Sequence, residues 1–144
     1  MPLSSPTFLA IDWNGTVVPI FGCPVYPGAR EVLEDLKKAG LPLFVVSCAT
    51  QRQIEEDVER TGLAFDGIFG CGDKEPIFSD LRLQHGVGLV LGDHPSDRRG
   101  AESAGLAFIQ ACLEGQMAFP EQKDVFRHWR EVPILLLAGR SGER

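Results

Sequence analysis

Four short apolar runs in the sequence are each followed by a side chain that suits phosphoryl transfer. These side chains are Asp12, Ser47, Lys74 and Asp93. A carboxylate such as Asp12 can attack phosphorus, provided that a cation reduces its repulsion of the phosphate oxygens. The hydroxyl of Ser47 and the ammonium of Lys74 can then hold the oxygens of the group in transfer. The set predicts a site for phosphoryl chemistry.

The acidic residues also suit the cation that this chemistry needs. Magnesium takes one or two protein carboxylates and fills its other positions with waters and substrate oxygens. Asp12 and Asp93 meet this requirement, with Asp97 and the backbone carbonyl of Asn14 as further candidate ligands. The sequence therefore predicts Mg²⁺ as the cofactor.

The elements that position these side chains follow a pattern of repeated β-α units. Short apolar, β-branched or aromatic runs alternate with segments of helical periodicity, which is typical of a parallel sheet buried on both faces. The sequence thus predicts an α/β fold of three layers, with helices on both faces of a Rossmann-like parallel sheet of about five strands. The predicted strands are residues 7–11, 43–46, 67–69, 88–91 and 107–110.

Capping residues mark the ends of the predicted helices. Thr50 followed by Gln53 is typical of a capping box, Gly62 suits a helix C-terminus, and Pro76 suits a first helical turn. Because the carboxyl ends of parallel strands share one edge, the polar side chains after the strands should meet where the strand order reverses. The predicted helices are residues 29–39, 50–62, 76–86, 96–104 and 121–129.

Composition limits the size and the class of the protein. The chain has 144 residues, a net charge of −6 and no basic run, so we expect one domain over residues 1–144 and no nucleic-acid binding. Residues 140–144 form a polar tail that we expect to fray. The apolar runs are too short to cross a membrane and the start lacks a signal peptide, which predicts a cytoplasmic protein. The cysteines lack zinc-site spacing and are expected to be reduced.

Taken in order, the motifs resemble those of the haloacid dehalogenase-like superfamily, which consists mostly of magnesium-dependent phosphatases. Residues 8–16 resemble the first family motif, an apolar strand followed by DxDGT, and residues 45–47 resemble the second. Residues 74–78 resemble the third motif, and residues 90–97, continuing into residues 104–105, resemble the fourth. The motifs are specific as a set rather than one by one.

The resemblance implies a phosphatase or phosphoryl-transfer hydrolase that forms an aspartyl-phosphate on Asp12. Asp93 is then the principal metal ligand, and Lys74 and Asn14 share the catalytic site with Asp12. The residues expected to bind the phosphorylated substrate are Gly15, Thr16, Ser47, Cys48 and Lys74.

Asn14 is the departure from the family pattern that bears on turnover. In the family's phosphatases an acidic residue at this place protonates the leaving group and then activates water, and an amide does neither. General acid-base catalysis contributes about 10²- to 10⁴-fold. Three interpretations stay open. The substrate has a leaving group that departs without protonation, as in an acyl phosphate; or His94 moves the proton; or the protein is a catalytically weakened phosphate-binding or regulatory module.

The motif spacing leaves no room for the cap domain that most members of the family carry. Between Asp12 and Ser47 the chain holds one helix and a short apolar segment, residues 17–26, which we call the flap. The resemblance then implies an open site, whose substrate is borne by a large molecule or whose pocket a second subunit of a homo-oligomer completes. The flap residues that suit a subunit contact, or packing against their own core, are Ile20, Phe21 and Val25.

Neighbouring residues are expected to be structural. Trp13 is predicted to pack away from the ligand, because successive side chains of an extended segment point in opposite directions. Cys48 and Cys71 follow strand ends and are expected to be inert, buried thiols. A solvated helix face is expected for the acidic residues Glu55, Glu56, Asp57 and Glu59.

Overall fold

The structure is a computed structural model that describes the backbone of residues 6–141 and the side chains of residues 6–137. The predicted polar tail falls partly outside this range, because residues 142–144 are not among the described residues. Within it, strands and helices alternate along the chain as the β-α pattern predicts.

A sheet of six parallel strands lies at the centre of the fold. Its spatial order is β3-β2-β1-β4-β5-β6. The predicted α/β fold is confirmed, and the sheet has a sixth strand that the sequence pattern did not indicate. The strands are β1 (Leu9–Ile11), β2 (Leu43–Ser47), β3 (Gly67–Gly70), β4 (Leu89–Gly92), β5 (Ala107–Ala111) and β6 (Val125–Phe126).

Strand order reverses between β1 and β4. Leu9 of β1 pairs with Leu43 of β2 on one side and with Leu89 of β4 on the other. Ligands of open parallel sheets bind beyond the carboxyl ends of the strands at such a reversal. Asp12 follows β1 and Asp93 follows β4, so the reversal places these two carboxylates next to each other.

Helices cover both faces of the sheet. At the start of α2, Thr50 Oγ1 accepts a hydrogen bond from Gln53 N, and the Gln53 side chain accepts one from Thr50 N. This is the predicted capping box, and Gly62 ends the same helix with a φ of 76°. The first four helices thus begin and end close to their predicted bounds. The helices are α1 (Ala29–Lys38), α2 (Gln51–Thr61), α3 (Glu75–His85), α4 (Pro95–Ala104) and α5 (Glu131–Ser141).

Side-chain alternation along the strands divides the core into two parts. Leu9 and Ile11 belong to the core beneath α1, α2 and α5, whereas Phe8 and Ala10 belong to the core beneath α3 and α4. All four side chains are completely buried. Burial of one large apolar side chain contributes about 1.5–3 kcal/mol. The strand ends that carry the site therefore rest on a well-packed framework.

The prediction of a helix over residues 121–129 is wrong, because turns and β6 occupy this segment. β6 pairs with β5, and Cys112 N donates a hydrogen bond to Phe126 O at 2.8 Å. Phe126 and Trp129 are fully buried, with their ring centroids 5.1 Å apart. Backbone pairing with β5 and burial of the two rings outweigh the helical periodicity of the segment.

The last helix begins instead at Glu131. Its first turn contains Pro133, where a missing N–H removes no helical hydrogen bond. Val132 is fully buried against the core, whereas Ile134 and Leu137 are 64% and 60% exposed. The apolar run at residues 134–138 thus belongs to α5, a helix that has both a buried side and an exposed side.

The described part of the chain contains no inserted domain over the sheet edge. Between β1 and α1 the chain forms only turns and the flap, and α2 alone connects β2 to β3. The expectation of a capless core is confirmed for these residues. None of the helices in the described ranges is long and apolar enough to cross a lipid bilayer.

Candidate active site

An open cavity of about 460 Å³ lies beyond the ends of β1, β2 and β4. Strand ends, the flap and the first turns of α2 and α4 all contribute to its wall. The structure therefore brings together residues that are far apart in the sequence. The predicted site residues that line the cavity are Asp12, Asn14, Ser47, Cys48, Lys74 and Asp93.

Lys74 joins two carboxylates at the base of this cavity. Its Nζ lies 2.9 Å from Asp12 Oδ1 and 2.6 Å from Asp97 Oδ1. Lys74 is the residue before α3, and Asp97 lies in the first turn of α4. The side chains of Lys74, Asp12 and Asp97 are 7%, 12% and 0% exposed. Lys74 is thus a buried partner of the predicted nucleophile rather than a solvated surface lysine.

Burial and charge set the protonation of this group. Burial raises the pKa of Asp12 to about 6, an increase that Lys74 opposes and Asp93 reinforces. Burial and the charge of Asp12 raise the pKa of Asp97 to about 6, and Lys74 again opposes the change. Burial lowers the pKa of Lys74, but the two carboxylates outweigh it, so the net pKa is raised. At neutral pH the lysine is therefore charged.

Lys74→Met is expected to lower the free energy of unfolding by about 3–5 kcal/mol, because it leaves two buried carboxylates without their cation. Met keeps most of the length and packing of the lysine side chain. Urea denaturation at neutral pH in the presence of EDTA measures the change. The deficit should shrink as the pH falls towards 6, because loss of Lys74 raises the pKa values of Asp12 and Asp97 above the value of about 6 that they have with Lys74 present.

Lys37→Met is the matched control for this measurement. Lys37 Nζ lies 3.4 Å from Asp66 Oδ1 in an exposed ion pair. Exposed pairs contribute about 0–1 kcal/mol. A Lys74→Met deficit no larger than that of Lys37→Met would show that the two carboxylates do not depend on Lys74.

Asp93 completes a cluster of carboxylates at the sheet edge. One ligand atom each of Asp12, Asp93 and Asp97 lies within 4.8 Å of the others. Gly15 has a φ of +82°, and a Cβ at this residue would lie 2.0 Å from Asp93 Oδ2. Only glycine therefore leaves room for the Asp93 carboxylate. Clustered carboxylate oxygens of this kind suit a divalent cation.

Asn14 lies where the chain turns from β1 into the flap. It forms an isolated parallel bridge with Val18. Its Oδ1 is buried and has no hydrogen-bond partner among the described residues. Buried polar atoms are nearly always paired in folded proteins. Because Asn14 also lines the cavity, this acceptor is suited to a cation or a bound ligand.

The end of β2 presents a hydroxyl and a thiol to the cavity. Ser47 Oγ accepts a hydrogen bond from Ala49 N at 3.2 Å, and its hydroxyl hydrogen stays available for a ligand. Cys48 is exposed in the cavity wall, so the expectation of a buried thiol is wrong for this residue. Cys71 is half-buried. Strand β2 ends at the cavity, which is why Cys48 is accessible.

Gly15 and Thr16 lie outside the cavity wall. The Thr16 side chain is fully buried, and its Oγ1 has no partner among the described residues. Thr16 O accepts a hydrogen bond from Trp129 Nε1 at 2.7 Å, and Gly15 N donates to Val18 O at 2.7 Å. Both residues therefore shape the turn beside the cavity, where Gly15 lies directly against the Asp93 carboxylate, and their binding of substrate stays a prediction.

His94 and Asp97 form a capping box at the start of α4. His94 Nδ1 accepts a hydrogen bond from Ser96 N at 3.1 Å, and His94 N donates to Asp97 Oδ2 at 3.2 Å. With Nδ1 acting as an acceptor, the proton of a neutral His94 is on Nε2. Asp97 is fully buried and outside the cavity wall, where Lys74 and the His94 amide hold it.

Other cavity residues were not predicted as site residues from the sequence, apart from His94, which one of the three interpretations of Asn14 uses as a proton carrier. Phe21 of the flap lines the cavity, whereas Val25 packs against the core and Ile20 is 60% exposed. Because α2 and α4 begin just after strand ends, the residues of their first turns could have been predicted to lie at this edge. The further wall residues are Ala49, Gln53, His94 and Ser96.

Trp13 packs away from the cavity and is fully buried, as predicted. The expectation of a solvated face is wrong for Asp57, which is only 8% exposed. Its carboxylate accepts a hydrogen bond from Trp13 Nε1 at 2.7 Å. The signal for this burial was present in the sequence, because Asp57 shares the i, i+3, i+4 stripe of α2 with Ile54 and Val58.

Comparison with known sequences identifies a family. A sequence model described as Haloacid dehalogenase-like hydrolase matches residues 12–111. This range holds every predicted site residue, from Asp12 to Asp97. The chain matches no curated protein sequence.

Solved structures of this family share the fold. A superfamily hydrolase from Ehrlichia chaffeensis is 15% identical, with a TM-score of 0.77 over 94% of this chain and 98% of that one. The D,D-heptose 1,7-bisphosphate phosphatase from B. bronchiseptica is 18% identical, with a TM-score of 0.66 over 92% and 99%. The deoxy-D-mannose-octulosonate 8-phosphate phosphatase from Haemophilus influenzae is 16% identical, with a TM-score of 0.70 over 95% and 90%.

The family match and the fold agree. The match covers more than half of the chain, and the solved structures align with nearly all of it. The strand ends also carry the side chains of the four motifs, except that Asn14 stands where the first motif has an aspartate. The chain belongs to the haloacid dehalogenase-like hydrolase family.

Proposed function

We propose that the protein is a magnesium-dependent phosphatase that transfers the phosphoryl group of its substrate first to Asp12 and then to water. One observation carries the proposal: Asp12 lines an open cavity in contact with the Lys74 ammonium and clusters with the Asp93 carboxylate. A carboxylate fixed beside a cation at an accessible surface is arranged to attack an anionic phosphate.

The residues at the sheet edge fit a magnesium ion. Asp12 and Asp93 offer carboxylate oxygens, and the buried Oδ1 of Asn14 is an acceptor that has no hydrogen-bond partner among the described residues. Asp97 completes the cluster and could join the ligand set. Such a set of oxygen donors is the one that Mg²⁺ prefers. When bound, the ion reduces the repulsion between the attacking carboxylate and the phosphate oxygens.

Lys74 and Ser47 hold the phosphate in this proposal. An ammonium has three N–H donors, and Lys74 directs hydrogen bonds to Asp12 and Asp97. One donor is left for a phosphate oxygen, and the Ser47 hydroxyl supplies another. An oxygen of Asp12 then forms a bond to phosphorus as the bond to the leaving group breaks, and water later attacks phosphorus and restores the carboxylate.

Asn14 selects the kind of leaving group. Its amide cannot give a proton to the departing oxygen, so the substrate should release an anion of low basicity. Acyl phosphates and phosphoanhydrides meet this condition, because they release a carboxylate or a phosphate. The proposal therefore favours these compounds over alkyl phosphates.

Two of the solved structures support a divalent cation and a phosphate group as the proposed ligands. The phosphatase from B. bronchiseptica is complexed with magnesium and phosphate. The phosphatase from Haemophilus influenzae is in a cobalt-bound form. Both share this chain's fold over most of its length, which supports a divalent cation and phosphate as the ligands proposed for its cavity.

Phosphate release from a panel of compounds tests the function. The purified protein is incubated with acetyl phosphate, pyrophosphate and phenyl phosphate, with Mg²⁺ or with EDTA. We expect release from acetyl phosphate with Mg²⁺, loss of release in EDTA, and recovery when Mg²⁺ is restored in excess. The absence of Mg²⁺-dependent release from every compound would overturn the enzyme assignment.

Asp93→Asn is expected to weaken Mg²⁺ binding by more than about tenfold, because a proposed ligand loses its charge. Isothermal titration calorimetry with MgCl₂ measures the affinity. Asp35→Asn on α1 is the matched control, since Asp35 is exposed and outside the cavity wall. Equal affinity in Asp93→Asn and Asp35→Asn would remove Asp93 from the metal site.

A second candidate function is a phosphate-binding or regulatory protein that keeps the fold and the metal site. The amide at Asn14 is the observation that favours it, because turnover of ordinary phosphoesters needs an acid there. Under this hypothesis Mg²⁺ and phosphate bind in calorimetry, but no compound of the panel is turned over.

A further inference from the structure

The Asp57 carboxylate is surrounded by hydrogen-bond donors from three parts of the chain. Oδ2 accepts from Trp13 Nε1 at 2.7 Å and from Arg60 Nη2 at 3.0 Å. Oδ1 accepts from Gly22 N at 3.0 Å and from Arg60 Nε at 2.9 Å. Hydrogen bonds to a charged acceptor are stronger than hydrogen bonds between neutral groups. One side chain of α2 therefore links the residue after Asp12 to the flap.

Arg60 strengthens the same link. Its Nη2 also donates to Cys23 O at 2.9 Å, one residue beyond Gly22. Burial alone would raise the pKa of Asp57. The hydrogen bonds that its carboxylate accepts, chiefly from Arg60, outweigh burial and hold the pKa below its usual value. Two successive residues of the flap are thus attached to α2 through their backbones.

Phe21 directly precedes the attached residues. It lines the cavity that contains Asp12 and is partly buried against the core. Gly22 has a φ of +87°, so its backbone conformation is one that side-chain-bearing residues rarely adopt. With Gly22 N held by Asp57, the backbone that carries Phe21 is held in one place.

We propose that Asp57 is a positioning residue that fixes Phe21 as an aromatic wall of the active site, so that the site prefers substrates whose leaving group presents an apolar face to Phe21. The proposal rests on the phosphatase function proposed above. The flap is then a fixed part of the site rather than a lid, and Phe21 acts on specificity without touching the phosphate.

Asp57→Asn is a sharp test because an amide cannot replace this carboxylate in either orientation. Whichever oxygen becomes NH₂, it meets N–H donors, either those of Gly22 and Arg60 or those of Trp13 and Arg60. The shape of the side chain is unchanged. Glu59→Gln is the matched control, since it neutralises an exposed carboxylate on the same helix.

The attachment itself is measured without any activity, by NMR hydrogen exchange of the wild type and both variants. We expect the Gly22 amide and the Trp13 indole N–H to exchange at least about tenfold faster in Asp57→Asn than in the wild type. The Trp129 indole, which donates to Thr16 O, is an internal control and should keep its rate. Unchanged exchange at Gly22 and Trp13 would overturn the proposal.

Specificity is measured with benzoyl phosphate and acetyl phosphate, which share a reaction and differ by phenyl against methyl. We expect the ratio of their kcat/KM values to fall by about tenfold in both Asp57→Asn and Phe21→Ala, mainly through the KM of benzoyl phosphate. Glu59→Gln should keep the wild-type ratio. A general loss of fold would lower both activities together and leave the ratio unchanged.

The outcomes separate this proposal from the phosphatase function. If neither acyl phosphate is hydrolysed, the phosphatase proposal fails, whereas the exchange data still report on the attachment. If both are hydrolysed and the ratio is equal in wild type, Asp57→Asn and Phe21→Ala, the phosphatase stands and the specificity role of Phe21 is overturned. Faster exchange together with a lowered ratio supports the proposal.

Discussion

Asp12→Asn is expected to lower Mg²⁺-dependent phosphate release by at least about 10⁴-fold, because it removes the proposed nucleophile while keeping the shape of the side chain. The loss should be in kcat for every compound of the panel, since Asp12 is proposed to react with the phosphoryl group itself. Colorimetric detection of phosphate under saturating acetyl phosphate measures it. Intact-mass analysis of acid-quenched samples should show a phosphorylated protein in the wild type and none in the variant.

Controls for this result follow from the geometry of the cluster. Asp12 contacts Lys74 and lies near Asp93, so its neutralisation also changes the local charge. Mg²⁺ affinity is therefore measured in parallel, and release is assayed at Mg²⁺ concentrations that saturate the variant. Asp35→Asn should behave as the wild type. Release from Asp12→Asn within about tenfold of the wild type would show that water or another side chain attacks phosphorus.

The strands and the residues that follow them could be predicted because local features determine both. Four of the apolar runs are short and are followed within five residues by a polar side chain, and parallel strands place those side chains at one edge. This is why Asp12, Ser47, Lys74 and Asp93 were found, although they come from separate units of the chain. The reversal of strand order between β1 and β4 then brings Asp12 and Asp93 together.

The parts that were missed depend on contacts between distant segments. β6 has only two residues, and it forms because β5 offers it a backbone edge. The burial of Trp129 depends on its hydrogen bond to Thr16 O, which is far away in the sequence. The spacing of apolar residues within 121–129 contains no information about β5 or about Thr16. It therefore predicted a helix where the structure has β6 and turns.

The burial of Asp57 was missed for a different reason. Its place on the apolar stripe of α2 was visible, but the neighbouring acidic residues suggested a solvated face. A buried carboxylate is stable only when donors surround it. One donor, Arg60, lies three residues along the same helix, but Trp13 and Gly22 lie far from α2 in the sequence, and only the fold brings them to Asp57.

Asn14→Asp is expected to raise kcat for an ester such as phenyl phosphate or glycerol phosphate by about 10²- to 10⁴-fold, because it restores an acid and base at the place where the family carries one. Acetyl phosphate should gain much less in the phosphoryl-transfer step, since its leaving group needs no proton. The ratio of kcat/KM for the ester to kcat/KM for acetyl phosphate, measured with saturating Mg²⁺, is therefore the informative quantity, because kcat/KM excludes the later hydrolysis of the aspartyl-phosphate that both substrates share. A rise in this ratio would mean that the native site is built for leaving groups of low basicity.

The same substitution adds a carboxyl group beside Asp12 and Asp93, which already cluster with Asp97. Like charges in one site disfavour ionisation and destabilise the fold. The thermal midpoint of Asn14→Asp in EDTA should therefore lie below that of the wild type, and Mg²⁺ should restore more stability to the variant than to the wild type. If turnover of both substrate classes instead falls while Mg²⁺ still binds and the fold is intact, the Asn14 amide itself contributes to the reaction. The proposed preference for acyl phosphates would then need another cause than a missing acid.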